Sequence, residues 1–596
     1  MGKIVGRIVE VKGLLVKARL FTLLPPYLVE NGKRESSPKI NGFVKTRVGI
    51  DTIICQVIGE YNEEIGDSVK SHFLDLQVKG YLDKNKFIQG LRILPIVSAN
   101  IELLEESDYD NIYNAGSDTT IFIGNDLFDE NKCINVEVNN LIPSHIGVFG
   151  NTGSGKSNTL TKILLEYYKT LIKFGTKSGK FLIIDLNNEY GKNTICDESE
   201  KTIYRLSTGK KGSSKKIPLK LSTLDEDDFV VLMNASQKTQ APVVKNAYRE
   251  MKKEGSERRD ESYYLNYVKL IIRNSRRSLF QSMRVYLKEF FEGLDGFFYH
   301  SAQGKFCYRD KGSVIYPEMT EFEKLLNKIN VSLPEEPLDR FLFELYFAVA
   351  HENENGVNID FMMPLISRAR KLIGDFRKIF DFKEEFEDIF DNKSVCIVQL
   401  SNVNKDMKEI VPSIITNNIY RRLVDTKEEE GKIKQIINIV IDEAHNILYE
   451  DDKNILCHES VLEVFEKVVK EGRKFGVFLM LASQRPSDIS QTIISQLHNY
   501  FIHKLVNPSD ISKIRKAVAY MDDASLDFIT ILAPGECIVS GTAFQMPTFL
   551  YVNQVDRERR PNSENVILVG NNGLFNKVES PQMDSGMDDT SKDGTE

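Results

Sequence analysis

The sequence predicts an α/β chain: a parallel-sheet core built around a phosphate loop, preceded by a small β-barrel and interrupted by a helical subdomain. Three observations predict it. Continuous apolar runs recur along the middle of the chain, as they do in strands covered on both faces by helices. One of these runs leads through a glycine-rich loop into helical periodicity. Ahead of them, residues 1–98 alternate apolar and polar positions in short stretches separated by turns, the pattern of a small barrel.

The barrel opens with Ile4-Val5-Gly6-Arg7-Ile8-Val9-Glu10-Val11 and continues through 44–58 and 73–82, with turns at Asn41-Gly42 and Gly80. Residues 31–41, rich in charge, Ser and Pro, read as a loop, and the acidic stretch 101–117 as a linker. Five core strands come next: 146–149, 181–185, 395–400, 436–441 and 477–482. The second and third are separated by about 200 residues, far more than an ordinary βα connection. This stretch is rich in helix formers and aromatics and predicts a helical insertion. The expected division is a barrel at 1–98, a first part of the core at 99–224, the insertion at 225–390, a second part at 391–576, and an acidic disordered tail at 577–596, net −4.

The 596 residues carry 78 Lys and Arg against 86 Asp and Glu, a formal −8, which excludes a protein that coats DNA over its whole surface. The seven cysteines are isolated, with no Cys-x-x-Cys pair, which argues against a zinc ribbon or a disulfide scaffold. The start reads as no secretory signal, and no apolar run is long enough to span a bilayer. A cytoplasmic protein with no membrane partner is expected.

The most specific signal is Gly150-Asn151-Thr152-Gly153-Ser154-Gly155-Lys156-Ser157, followed by Asn158, which matches G-x-x-x-x-G-K-[ST] between a strand and a helix. Glycines let successive backbone N–H groups turn toward phosphate oxygens, and the helix N-terminus adds partial positive charge. Lys156 then serves the β/γ-phosphates of ATP and Ser157 a Mg2+ ion. The strand 436–441 ends in Asp442-Glu443, which supplies a magnesium carboxylate and a general base. His445 suits either a γ-phosphate contact or a structural role. Gln484, at the end of the last strand, is positioned to contact the γ-phosphate or its water. Arg473, just before that strand, suits a transition-state contact across a subunit boundary, but from the residues alone a surface ion pair is the favoured reading.

Together with Asp185-Leu186-Asn187-Asn188-Glu189-Tyr190, Lys238-Thr239-Gln240, 471–476 and 483–488, these residues resemble the HerA family of hexameric DNA-translocating ATPases, related to FtsK and to conjugative pumping ATPases, over about residues 1–555. The resemblance implies a RecA-like core, a homohexameric ring with ATP sites between subunits, helicase-type action on double-stranded DNA threaded through the pore, and an N-terminal barrel shared with rotary ATP synthases. It makes Arg473 the trans-acting arginine and sets Glu189 near the nucleotide. It also implies an effector docked on the barrel: a NurA-like nuclease in DNA end-processing repair, or a sirtuin-like NADase or another nuclease in antiviral defence. A secretion or conjugation pump is the other class. One departure is visible: Ser144 stands where many members carry an arginine before His145.

Residues 238–288 carry a net +8 with Tyr248, Tyr263, Tyr264, Tyr267 and Tyr286 among them. A DNA-tracking surface and a solvated helical face with its tyrosines in the core both fit. Lys210, Lys211, Lys215 and Lys216 form a second candidate for a pore-lining loop. No nuclease constellation is evident, so cutting or NAD hydrolysis is expected of a partner.

Overall fold

The computed structural model describes residues 2–22, 25, 27–30, 33–65, 69–83, 86–113, 119–191, 193–354, 359–383, 385, 387–450, 459–518 and 523–562. The acidic tail expected at 577–596 lies outside them.

Six strands between Ile4 and Leu103 form a closed antiparallel barrel. Its strands run Leu15–Leu20, Ile4–Lys12, Asn100–Leu103, Phe43–Val48, Asp51–Ile65 and Val69–Asp83, and the last pairs back onto the first. Alternate residues point inward, so Val5, Ile8, Val44, Ile53, Leu74, Leu76 and Ile101 make a dry core. The expected boundary at 98 falls inside this barrel. The acids of Asn100–Leu103 suggest a linker, yet Ile101 and Leu103 face inward and the strand pairs with both Ile4–Lys12 and Phe43–Val48. The expected loop at 31–41 also differs: Lys33–Ser36 pairs with Tyr27–Glu30 in a hairpin. Lys45, buried in the barrel, donates to Asp108 at 2.5 Å and ties the barrel to the helix Glu106–Ile112.

The core is one sheet of eleven strands. Asn499–Ile502, Ile146–Phe149, Val477–Ser483, Ile436–Ile441, Gly179–Asp185, Val395–Asn402 and Lys201–Ser207 lie side by side in parallel. All five expected strands are there, each nearly or wholly buried. An antiparallel wing departs from the purely parallel expectation: Glu536–Gly541, Thr548–Val552, Thr120–Asp126 and Cys133–Glu137 extend the sheet beyond Asn499–Ile502. The first two are joined by a short loop, which permits antiparallel pairing and forbids a crossover. The wing packs Ile121, Ile134, Leu550 and Val552 in the same cluster as Phe43, Ile54 and Phe87 of the barrel.

Between Leu219 and Val395 the chain is mainly helical, with long helices at Pro337–Glu354 and Met363–Ile379. It also carries a small three-stranded sheet, Phe297–His300, Lys305–Asp310 and Ser313–Ile315. Phe229, Phe341 and Phe376 share one apolar cluster with Ile439 and Leu479 of the sheet, so this segment is fused to the face of the core.

Candidate nucleotide site

Parallel strands bring their carboxyl ends to one edge, so the residues just beyond them converge. Phe149 stands in register with Ser483, and Ile441 with Leu481 and Ile184. The phosphate loop, Gln484, Asp442-Glu443 and the turn after Asp185 therefore meet.

The loop's shape depends on missing side chains. Gly150 has φ 158°, and a Cβ there would lie 2.5 Å from the Cβ of His503. Gly155 caps the helix Lys156–Lys173 in the left-handed region, and a Cβ there would stand 3.1 Å from the Gly535 nitrogen. Asn151 N–H donates to the Lys504 carbonyl at 2.8 Å and Gly535 N–H to the Ser154 carbonyl at 2.9 Å. His503, wholly buried beneath the loop, pairs through Nε2 with Thr159 Oγ1 at 2.9 Å and through Nδ1 with the Glu536 carbonyl at 2.8 Å. No motif in the sequence marks His503, which is visible only once the strand Asn499–Ile502 is placed next to the loop.

Lys156, the first residue of the helix, curls back so that its amine donates to the Asn151 carbonyl at 3.5 Å. Burial pushes its pKa down, while Glu443, Asp442 and Glu189 oppose that shift. Ser157 Oγ donates to Glu189 Oε2 at 3.5 Å. Asp185 explains why Glu189 is there: its carboxylate accepts from the N–H groups of Asn187, Glu189 and Tyr190 and so folds the turn that aims Glu189 at the loop. Tyr190 O–H then donates to Asp442 Oδ2 at 3.3 Å. Asn158, expected among the nucleotide contacts, turns its amide to the carbonyl of Asn553 and the N–H of Val555. Its side chain fastens the helix to the C-terminal strand.

Asp442 is buried and its carboxyl is pushed up to about 7, first by burial and then by the Glu189 and Glu443 carboxylates. Glu443 has φ 51°, a left-handed conformation that costs a non-glycine residue on the order of 1–3 kcal/mol. That turn carries its side chain to Gln484, whose Nε2 donates to Glu443 Oε1, while Thr152 O–H donates to Gln484 Oε1. The other oxygen, Glu443 Oε2, is buried, accepts no hydrogen bond and lies 3.3 Å from His445 Nδ1. That ring nitrogen is also 3.2 Å from Ser483 Oγ, and burial lowers the histidine's pKa. Three carboxylates thus face one lysine, a surplus of negative charge that suits a divalent cation shared with phosphates. Among the described residues no group of three or more His, Cys, Asp or Glu forms a metal cage. Ser157 and Asp442 are the residues that could hold such an ion.

The raised Asp442 pKa makes stability depend on pH. With Asp442 at about 7, the folded state keeps a proton that the unfolded chain, with an ordinary aspartate near 4, has already lost. The contribution of Asp442 to the stability of the nucleotide-free protein therefore falls as pH rises from about 4 to about 7, and no further above that. Asp442→Asn removes this loss. In thermal melts without nucleotide or magnesium, the variant's advantage over wild type should grow from pH 4 to pH 8, by a few kcal/mol; an advantage independent of pH would contradict the assignment.

Arg473 is not in this site. It is exposed in the turn Gly472–Lys474, ahead of Val477–Ser483, at the opposite edge of the sheet. The seven residues of that strand separate it from Gln484 by roughly 20 Å. Among the described residues Arg473 has no carboxylate partner, so the surface ion pair is absent. Ser144 lies at the same distant edge, donating to the Leu141 carbonyl at 2.5 Å and accepting from Asn499 Nδ2 at 2.8 Å.

Of the five tyrosines in 238–288, four are packed and Tyr263 is 39% exposed. Tyr264 is wholly buried and donates to Glu344 at 2.6 Å, Tyr248 donates to the Leu224 carbonyl, and Tyr267 and Tyr286 pack on Phe347 and Tyr346. Lys245, Arg249, Arg259 and Arg273 pair with Glu226, Asp227, Glu250 and Glu323. Gln240 is likewise structural, donating to the Phe361 carbonyl and accepting from Arg368. Lys210, Lys211 and Lys216 remain exposed in the loop after Lys201–Ser207, at the phosphate-loop edge of the sheet, whereas Lys215 pairs with Asp391.

Residues 121–419 match the family model described as the central domain of helicase HerA, and residues 416–555 the one described as the HerA-like helicase C-terminal domain. The DNA double-strand break repair helicase HerA of Sulfurisphaera tokodaii is 22% identical over 480 residues, spanning 79% of this chain and 76% of that protein. The protein of the same name from Pyrococcus furiosus is 21% identical over 502 residues, 83% and 80% of the two chains. Among solved structures, VirB4 of Thermoanaerobacter pseudethanolicus aligns with a TM-score of 0.40 at 15% identity, covering 75% of this chain and 99% of that one.

Proposed function

Because the chain belongs to the HerA helicase family, and is thus a phosphate-loop ATPase, we propose that it works as a homohexameric ring motor on double-stranded DNA that assembles with and activates an effector in antiviral defence. The effector is a nuclease, NurA-like or other, or a sirtuin-like NADase. The observation that supports the motor reading best is the division of the chemistry between two edges of one sheet. Lys156, Asp442, Glu443 and Gln484 converge at the carboxyl edge, and Arg473, with no carboxylate partner among the described residues, stands exposed at the other. Repair is the alternative role, favoured by the names of the relatives. Among the described residues no helix is long and apolar enough to cross a membrane.

In this reading the loop N–H groups and Lys156 hold the phosphate chain. Magnesium, held by Ser157 and Asp442, would neutralise phosphate charge. Glu443 Oε2, lacking a hydrogen bond, takes the proton of the attacking water, and Gln484 orients that water while its amide steadies the glutamate. Arg473 of one subunit reaches the transferring phosphoryl group in the next.

The test is ATP turnover by the full chain with and without linear duplex DNA, alongside a mass measurement of the assembly. Stimulation by DNA and a six-subunit mass are expected; turnover indifferent to DNA in a monomer would overturn the reading. Lys156→Ala should weaken ATP binding roughly ten- to hundred-fold, the loss of a charge-assisted contact, measured by titration calorimetry.

The barrel offers a surface for the effector. Ile50 is 98% exposed at a hairpin turn, and Leu91 and Ile96 are 59% and 56% exposed. Charged residues at these three positions should abolish co-purification of the effector and leave ATP turnover within twofold of wild type. Retention of the effector would remove the barrel from this role.

A further inference from the structure

Arg473 is exposed and has no carboxylate partner among the described residues. Its aim therefore depends first on the turn that carries it, and that turn has little backbone freedom. Phe475 N–H donates to the Gly472 carbonyl at 2.9 Å. A Cβ at Gly472 would lie 2.5 Å from the Val477 carbonyl oxygen. Gly476 has φ 84°, and a Cβ there would lie 2.5 Å from the Gln435 carbonyl oxygen.

A second element grips the turn from outside. The helix Lys405–Glu430 packs against the helix Glu459–Glu471, whose last residue leads into the turn Gly472–Lys474. Two residues of Lys405–Glu430, seven positions apart and so on one face, reach it. Tyr420 is buried, and its O–H donates to Glu471 Oε2 at 3.1 Å. Its ring stands edge-on to that of Phe475, with centroids 5.6 Å apart. Lys427 Nζ donates to the Lys474 carbonyl at 2.6 Å and lies 5.2 Å from the centroid of the Phe475 ring. Arg473 is thereby bracketed: Glu471 before it, and Lys474 and Phe475 after it, are all tied to one helix.

From this bracketing we infer that Tyr420 and Lys427 are positioning residues for Arg473: they set the place and direction from which the guanidinium leaves its subunit. The inference rests on the reading of Arg473 as the arginine supplied to a neighbour's nucleotide site. The helix starts just beyond the carboxyl end of Val395–Asn402, on the nucleotide side of the sheet, and Tyr420 stands fifteen residues along it, roughly 22 Å away. The contacts of both residues thus fall at the edge opposite Lys156, Asp442 and Glu443, and their effect on turnover passes through the next subunit. The effect is large because a misplacement of about 1 Å in a group that must meet the reacting atoms costs on the order of 10²-fold in rate.

The experiment uses the full-length chain carrying both Tyr420→Phe, which keeps the ring and loses the hydroxyl, and Lys427→Met, which keeps the stem and loses the ammonium. Its kcat should fall roughly ten- to hundredfold, while ATP affinity by titration calorimetry stays within about twofold and the assembly mass is unchanged. The double variant is then mixed with Glu443→Gln or with Arg473→Ala protein, subunit exchange being shown independently. Glu443→Gln subunits lend well-placed arginines, so activity should rise to about a quarter of wild type. Arg473→Ala subunits lend none, so with them it should not rise. Recovery with Arg473→Ala, or with neither partner, overturns the inference, as does a kcat within about twofold of wild type. Loss of ATP affinity or of assembly also overturns it, because a merely structural role predicts that loss. The control mixes Glu443→Gln with Arg473→Ala: no recovery there sinks the trans-acting reading itself, whatever the double variant does.

Discussion

Glu443→Gln keeps ATP on the protein and stops its turnover: kcat falls about 10²- to 10⁴-fold, the usual contribution of a positioned general base, while ATP affinity stays within a few-fold of wild type. The substitution preserves shape and the hydrogen bond from Gln484, because the glutamine oxygen can still accept where Glu443 Oε1 now does. It removes only basicity at the oxygen that accepts no hydrogen bond. The left-handed backbone at position 443 is unchanged, so no folding defect is expected. Rapid-quench turnover beside an ATP-binding titration separates the two quantities. Near-normal turnover would remove Glu443 from its role, and loss of binding would mean that it carries the nucleotide instead of activating water.

Arg473→Ala should be as severe, roughly 10³-fold in kcat or more, the scale of an arginine that stabilises transferring phosphoryl charge. Its distance from Gln484 along the strand forbids any contribution within its own subunit. The decisive measurement mixes the two defective proteins. A site assembled from Glu443 of one subunit and Arg473 of its neighbour is intact at about a quarter of the interfaces in a randomly mixed cyclic ring, so activity should reappear on mixing. No recovery, with subunit exchange shown independently, would place the arginine outside the chemistry.

Much of this site is legible in the sequence because each part comes directly after a strand that is apolar from end to end. Val477–Ser483 and Ile436–Ile441 announce themselves by composition, and a parallel sheet then forces the loops at their carboxyl ends to one edge. The turn that presents Glu189 is legible only as a motif; its cause, the three N–H groups on Asp185, is tertiary. His503, the Thr152–Gln484–Glu443 bridge and the departure of Asn158 toward Asn553 depend on contacts between distant segments, and no local pattern encodes them. The antiparallel wing is hidden for a different reason. Its strands, such as Thr120–Asp126, are short and half-polar, and read alone they match turn-rich connecting chain. The barrel boundary is displaced for the same reason: Glu102 in Asn100–Leu103 is buried yet reads as linker acidity. In 238–288 the net charge is visible in the sequence, but the pairing of Lys245, Arg249 and Arg273 with Glu226, Asp227 and Glu323 outside the stretch is not.

The phosphate loop is not suspended freely above the sheet. It is hydrogen-bonded at Asn151 to Lys504 and at Ser154 to Gly535, and both of those belong to the wing side of the molecule. Wing and barrel share one apolar cluster. The wing therefore forms a continuous packed connection from the phosphate loop to the barrel. Lys504, Gly535 and the barrel are thus joined to the phosphate loop through hydrogen bonds and apolar packing alone.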